Sequence, residues 1–153
     1  MTFPSPGRPS DLMFLLNWAS HALRAEHAAG LAELGISPRD HCVLARARMG
    51  GLTQRQLGEL CGVDKTTMVV TLDHLEAAGL ARRVPSPTDR RARLVEVTVQ
   101  GERVLDQAQE IAARLEQDVL TALPDSEREV FLRAVRRLVD GRLSGVAACG
   151  TVC

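Results

Sequence analysis

Residues 53–79 read TQRQLGELCGVDKTTMVVTLDHLEAAG, and capping residues and glycines divide this stretch into two segments. Thr53 begins a Thr-x-x-Gln capping box, which is typical of a helix N-terminus. Gly62 predicts a tight turn, Asp64 can cap a second helix, and Gly79 suits the left-handed conformation that ends a helix. The stretch therefore predicts two short helices joined by a turn, a helix-turn-helix.

The second of these helices has an apolar face and an opposite face of short side chains. Met68, Leu72 and Leu75 recur at helical spacing, so we expect them in the core. Short hydroxyl and methyl groups on the other face would let the helix approach a DNA groove and contact base edges. Exposed threonines of this kind can also be simply solvated, as in many helical proteins. The residues predicted to face the groove are Lys65, Thr66, Thr67, Val70 and Thr71.

A basic hairpin is predicted directly after the helix pair. Two candidate strands, residues 80–84 and 93–97, flank the segment PSPTDRRA, whose two prolines predict neither strand nor helix. Five arginines against one acid, Asp89, give residues 82–93 a charge of +4. Arginines on a projecting loop can enter the minor groove of DNA, although many basic loops are only solvated. Helix pair and hairpin together favour DNA binding more strongly than either does alone.

Composition and charge bound the class of protein. The chain has 153 residues, of which 45% are hydrophobic and 25% charged, so it suffices for one globular domain and is not wholly disordered. A formal net charge of zero argues against DNA binding if the chain is taken as a whole. This total combines segments of opposite charge: residues 53–78 have a net charge of −2 and residues 102–140 one of −3, whereas the hairpin has +4. We therefore expect modest non-specific DNA affinity that depends on the hairpin arginines.

Helices are predicted on both sides of this core. One runs from about residue 10 to 30, a second from Ser37 to the Gly50-Gly51 break, a third from Thr98 to Pro124, and a last one from about Asp125. The compositions of residues 1–9 and 145–153 predict a disordered and a flexible tail. The expected fold class is mainly α with a small β-hairpin.

The run from Val63 to Gly101 resembles the winged helix-turn-helix core of the MarR family of bacterial transcription regulators. Three motifs carry the likeness: L-x-x-L-E-x-x-G-L at residues 72–80, the wing signature Asp-x-Arg at residues 89–91, and the Thr-x-x-Gly that begins at Thr98. The helix order extends the likeness to about residues 10–144.

The resemblance implies where DNA would bind. Arg91 matches the arginine that the family places in the minor groove, with Asp89 as its acidic partner and Arg90 between them. Thr53 and Gln54 would lie near the phosphate backbone, where a helix N-terminus favours an anion. The groove-facing residues of the second helix would enter the major groove. The alternative for Asp89 and Arg91 is a local salt bridge that only stiffens the loop.

The resemblance also implies an assembly. It predicts a winged helix-turn-helix DNA-binding domain over residues 37–98, flanked by dimerisation helices over residues 10–36 and 99–144. The broad apolar faces of the terminal helices are an independent reason to expect a homodimer, since little else in the chain would cover them. Such a dimer would bind a pseudo-palindromic operator with half-sites about one helical turn apart (~10 bp). The expected function is a sequence-specific, double-stranded DNA-binding transcriptional regulator, acting as a ligand-responsive repressor.

Members of this family bind small ligands, often anionic aromatics, in a cleft between the dimerisation helices and the winged domain. Four residues lie on helices that would line such a cleft, and each has the alternative of ordinary packing or solvation. These candidate effector contacts are Trp18, His21, His41 and Arg46.

Other classes of function have weaker support. A thiol redox switch would have to use Cys42, Cys61, Cys149 or Cys153, but the first two fall on apolar stretches and the others in the predicted tail. No ligand-spaced His/Cys cluster predicts a metal or other cofactor, and no catalytic motif predicts an enzyme. A winged helix that binds protein would be expected to have an acidic or apolar wing, whereas the hairpin predicted here is basic. The absence of a recognisable signal peptide or membrane span predicts a cytoplasmic protein.

Overall fold

The structure, a computed structural model, describes residues 11–89 and 91–145. Six helices and a two-stranded antiparallel sheet are found in this part of the chain, so the predicted mainly α class with a small hairpin is confirmed. The tail predicted at residues 1–9, all but the first residue of the tail predicted at 145–153, and Arg90 lie outside the described residues. The bounds are α1 Leu12–Glu33, α2 Pro38–Ala47, α3 Gln54–Cys61, α4 Lys65–Ala77, β1 Ala81–Pro85, β2 Arg93–Val97, α5 Val99–Thr121 and α6 Asp125–Asp140.

Side-chain caps begin the helices where the sequence predicts them. Ser37 and Thr53 each form a complete capping box at the start of α2 and α3. The carboxylate of Asp64 accepts a hydrogen bond from a backbone N–H in the first turn of α4, and the hydroxyl of Thr98 does the same in α5. These caps satisfy backbone donors that have no partner within the helix.

Helix α1 continues three residues beyond the end predicted near Gly30. Gly30 is helical, and its missing side chain allows close packing of α1 on α5, because a Cβ there would lie 2.5 Å from Cγ2 of Ile111. The left-handed glycine that follows the helix is instead Gly35, with φ 73°. The helix was predicted to end near Gly30, but this glycine instead serves a contact between two helices.

The hairpin differs from the prediction at its first strand. β1 begins at Ala81, one residue later than predicted, and pairs in register from Ala81 opposite Val97 to Pro85 opposite Arg93. Pro85 was predicted to lie outside any strand, which is wrong. A proline is tolerated here because it is the last residue of a strand that has a free edge.

The second strand is also attached to the start of α3. The backbone N–H of Val95 donates to the carbonyl oxygen of Leu52 at 3.0 Å, and Thr53 forms an antiparallel bridge with Leu94. This contact joins segments about forty residues apart, so local sequence patterns did not predict it. It fixes the base of the hairpin beside the helix-turn-helix.

The core lies beneath the helix-turn-helix and reaches α1 and α5. Met68, Leu72 and Leu75 are at most 1% exposed, so their predicted place in the core is confirmed. Helix α6, by contrast, buries none of its residues. None of the described helices is both long and apolar enough to cross a membrane.

Candidate nucleic-acid interface

Helix α4 is held at its N-terminus by Asp64. One carboxylate oxygen accepts from the backbone N–H of Thr67 at 3.0 Å, and the other accepts from its hydroxyl at 2.5 Å. These hydrogen bonds favour the charged carboxylate, so they hold the pKa of Asp64 below its ordinary value. Of the residues predicted to face DNA, Thr67 is half-buried, whereas Lys65, Thr66 and Val70 are exposed.

Thr71 is not on the exposed face, and the prediction that it is exposed is wrong. It is only 4% exposed, and its hydroxyl donates to the carbonyl oxygen of Thr67 at 2.8 Å. The reason is helical geometry. Thr71 is three residues after Met68 and four before Leu75, so it lies on the flank of the helix that packs on the core.

Two of the five arginines of the basic run form ion pairs with acidic residues of the protein itself. Arg82 pairs with Glu96 on the opposite strand, at 2.7 Å between Nη2 and Oε2. Arg83 pairs with Asp73 and Glu76 of α4. Its hydrogen bonds hold the pKa of Glu76 below its ordinary value. The +4 counted along the sequence therefore overstates the charge that the hairpin can offer to DNA.

The hairpin of β1 and β2 is the wing, and its tip is the loop between Pro85 and Arg93. Short-range hydrogen bonds order this loop. A carboxylate oxygen of Asp89 accepts from the backbone N–H of Arg91 at 2.9 Å, which is an Asx-type turn. The hydroxyl oxygen of Ser86 accepts from the backbone N–H groups of Thr88 and Asp89, both at 3.3 Å. Asp89 thus supports the loop through the backbone of Arg91. The expected pairing of the two side chains is not found, and the guanidinium of Arg91 forms no ion pair with any described residue.

A depression of about 760 Å³ brings five of the ten predicted DNA contacts together, whereas Thr66, Thr67, Val70 and Thr71 do not line it. It lies between the start of α3, the start of α4 and the wing, and Thr53, Gln54, Lys65, Asp89 and Arg91 all line it. Sequence reasoning missed Arg55 and Arg93, which also line it. Arg55 could have been found from its place in the first turn of a helix predicted to meet phosphate, and Arg93 from the basic run itself.

A second cavity, of about 630 Å³, lies between α1, the first turns of α2 and the turn that follows α3. Of the candidate effector residues, His21 lines it, and Trp18 lies beside His21 with 6.4 Å between ring centroids. His41 contacts the lining residue His27 edge-on at 5.7 Å. Arg46 is exposed and does not line the cavity.

The positive charges of this cavity come from residues that the sequence did not single out. They are Arg24 on α1 and Arg39 on α2, both in its lining. Burial lowers the pKa of His41, and the nearby charge of His27 lowers it further. Nε2 of His27 and Nδ1 of His41 are buried without a hydrogen-bond partner among the described residues. The spacing of His21, Arg24 and His27 on one face of α1 was the available signal.

Among the cysteines in the described part of the chain, Cys61 is a poor thiolate site. Cys42 and Cys61 are each 4% exposed. Burial raises the pKa of Cys61, which keeps its thiol protonated. Among the described residues, no three His, Cys, Asp or Glu side chains form a group that could hold a metal ion.

Comparison with known proteins identifies the family. Residues 34–92 match the model of the MarR family. The chain is 33% identical over 135 residues to the transcriptional regulator HosA of Escherichia coli O111:H-, an alignment that covers 84% of this chain and 99% of HosA. A crystal structure of MarR matches with a TM-score of 0.70 and 27% identity, covering 88% of this chain and 99% of that one. A point mutant of MepR from Staphylococcus aureus, bound to an oligodeoxyribonucleotide, matches with a TM-score of 0.68 and 20% identity, covering 87% and 99%. The chain therefore belongs to the MarR family of transcriptional regulators.

Proposed function

We propose that this regulator binds double-stranded DNA sequence-specifically through the surface formed by α3, α4 and the wing. The observation that carries the proposal is the depression in which Lys65, Arg91 and Arg93 converge. None of the three forms an ion pair with a described residue, so their charges are available to phosphates. Residues 37–98 would be the DNA-binding domain, with α4 in the major groove and Arg91 in the minor groove.

The proposed active form is a homodimer that binds a pseudo-palindromic operator. The first half of α1 and most of α6 expose large apolar side chains, including Met13 at 78% and Val139 at 54%. Burying these faces against a second copy would remove a large apolar surface from water. Residues 10–36 and 99–144 would then be the dimerisation helices.

The proposed mode of regulation is repression relieved by a small anionic ligand, such as an aromatic acid. The cavity beside α1 supports this hypothesis, because it is large enough for such a molecule and is lined by Arg24, Arg39 and His21. It lies between a proposed dimerisation helix and the DNA-binding domain, so a ligand there could change their relative position. The protonated, buried thiol of Cys61 gives the thiol-switch alternative less support.

Replacement of Arg91 tests the proposed DNA interface. DNA fragments bound by the protein are first selected from the genome, and affinity for a selected operator is then measured by fluorescence anisotropy at several salt concentrations. We expect Arg91→Ala to weaken binding by about 1–3 kcal/mol. The slope of the logarithm of the binding constant against the logarithm of salt concentration should become shallower by about 0.9 for each phosphate contact that is lost.

The matched control is Arg103→Ala, which removes an exposed arginine of α5 that has no ion pair among the described residues and lies outside the depression. It should leave both affinity and salt dependence close to those of the wild type. An Arg91→Ala protein that binds as the wild type does would contradict the role of Arg91. A wild type that selects no DNA would contradict the proposed function.

A further inference from the structure

The first strand of the hairpin carries two adjacent arginines in different environments. The side chain of Arg82 is 68% exposed and pairs with Glu96, so its ion pair stays within the hairpin. The side chain of Arg83 is 25% exposed and lies on the other face of β1, towards α4. The alternation of side chains along a strand places the two arginines on opposite faces.

Arg83 ties the hairpin to α4 through both backbone and side chain. Its backbone N–H donates to Oε1 of Glu76 at 2.6 Å, and its Nε donates to Oε2 at 3.0 Å. Its Nη2 donates to Glu76 and also to Oδ1 of Asp73, the latter at 2.5 Å. Among the described residues of the hairpin, no other side chain hydrogen-bonds or ion-pairs with α4.

The base of the hairpin therefore has two attachments. On one side, the backbone of β2 is bonded to the start of α3 through Val95 and Leu52. On the other side, Arg83 is bonded to the second half of α4. A guanidinium fork held by two carboxylates resists rotation in a way that a single hydrogen bond does not.

We propose that Arg83 is a positioning residue that fixes the direction of the wing relative to α4, so that Arg91 and α4 can contact DNA at the same time. The inference rests on the proposed function. It separates two roles within one basic run: Arg83 is neutralised by acids and acts through the wing, whereas Arg91 has no ion partner among the described residues and contacts DNA. A small rotation at the base of a hairpin is amplified at its tip, where Arg91 lies.

A double-mutant cycle tests this role. Operator affinity is measured for the wild type, Arg83→Gln, Arg91→Ala and the double variant, with circular dichroism and light scattering as checks of fold and assembly. We expect Arg83→Gln to weaken binding about tenfold in the wild type but less than about twofold in the Arg91→Ala background, because the wing contact is already lost there. An equal loss in both backgrounds would overturn the proposal, since a general loss of fold would be additive.

Arg82→Gln is the matched control. It removes the same charge from the neighbouring position of β1 but breaks only an ion pair inside the hairpin. We expect an effect of less than about threefold. If it weakens binding as much as Arg83→Gln, the charge of the run matters and the positioning role is wrong.

Glu76→Gln provides a test that does not depend on whether Arg83→Gln folds. Removing an acid from a DNA-binding domain should tighten binding if only net charge matters. The proposal predicts weaker binding instead, because the guanidinium of Arg83 loses the charged carboxylate of Glu76 that holds it. Unchanged or tighter binding would overturn it. A wild type that binds no operator would instead refute the proposed function on which the inference rests.

Discussion

Neighbouring positions on α4 differ between an exposed residue that would read DNA in the proposed function and a buried residue that supports the helix. Val70 is 64% exposed, whereas its neighbour Thr71 is 4% exposed and bonded to Thr67. Both are β-branched and of similar size, so composition does not distinguish them. What distinguishes them is their position around the helix axis, since adjacent helical residues point about 100° apart.

We therefore expect Val70→Ala and Thr71→Val to affect different properties. Val70→Ala should weaken binding to the selected operator by about 1 kcal/mol with little effect on non-specific binding, because it removes methyl groups that can contact thymine. Thr71→Val should leave operator affinity within about threefold, since it changes only an internal hydrogen bond. Anisotropy titrations with operator and random duplexes measure both. A larger affinity loss for Thr71→Val than for Val70→Ala would contradict this assignment.

Elements were predictable from the sequence where local chemistry determines them. The cap at Ser37, the capping box at Thr53 and the apolar spacing on α4 depend on residues within a few positions of one another, and they are confirmed. Contacts between distant segments were not predictable, because a pattern does not say which partner a residue will find. Arg83 was counted as charge for DNA, and Gly30 was interpreted as a helix end. Each is defined by a contact with another element.

The contact between α1 and α5 at Gly30 leads to a testable prediction about stability. Gly30→Ala should destabilise the protein by about 1–3 kcal/mol, because its Cβ would lie 2.5 Å from Cγ2 of Ile111. This loss should outweigh the gain in helix propensity that alanine normally brings. Urea denaturation measures the free energy of unfolding.

The control for this prediction is the double variant Gly30→Ala with Ile111→Ala. Removing the isoleucine side chain removes the clash, so the double variant should be more stable than the sum of the two single effects predicts. Simple additivity of the two losses would show that Gly30 matters for another reason.

At the scale of the whole molecule, a single chain leaves its apolar surface unevenly covered. The core beneath the helix-turn-helix is buried, while α6 buries none of its residues and α1 exposes most of its first half. The charge is uneven as well, since residues 82–93 of the hairpin carry +4, whereas residues 102–140 of the C-terminal helices together carry −3. Both asymmetries agree with a division into a DNA-binding part and an assembly part.

Phe131→Glu should separate these two parts. Phe131 is 48% exposed on α6, so we expect its replacement by a charge to leave the fold intact and to convert the proposed dimer to a monomer at micromolar concentration. Operator affinity should fall by more than about tenfold, because one chain can contact only one half-site. Light scattering and anisotropy measure the two effects.

Val99→Glu is the matched control for this experiment. Val99 is 73% exposed at the first position of α5, beside the hairpin and away from the exposed apolar faces of α1 and α6, and a negative charge there suits the helix N-terminus. It should remain dimeric. A dimeric Phe131→Glu protein would place the interface elsewhere.

The internal pairing of Arg82 and Arg83 has a consequence for how the regulator would find its operator. With these two cations neutralised, Lys65, Arg91 and Arg93 are the positive charges at the depression that have no ion pair within the described chain. Few phosphate contacts mean short residence on random sequence at physiological salt. The search for an operator would then proceed mostly by repeated dissociation and three-dimensional diffusion, with little sliding along the duplex.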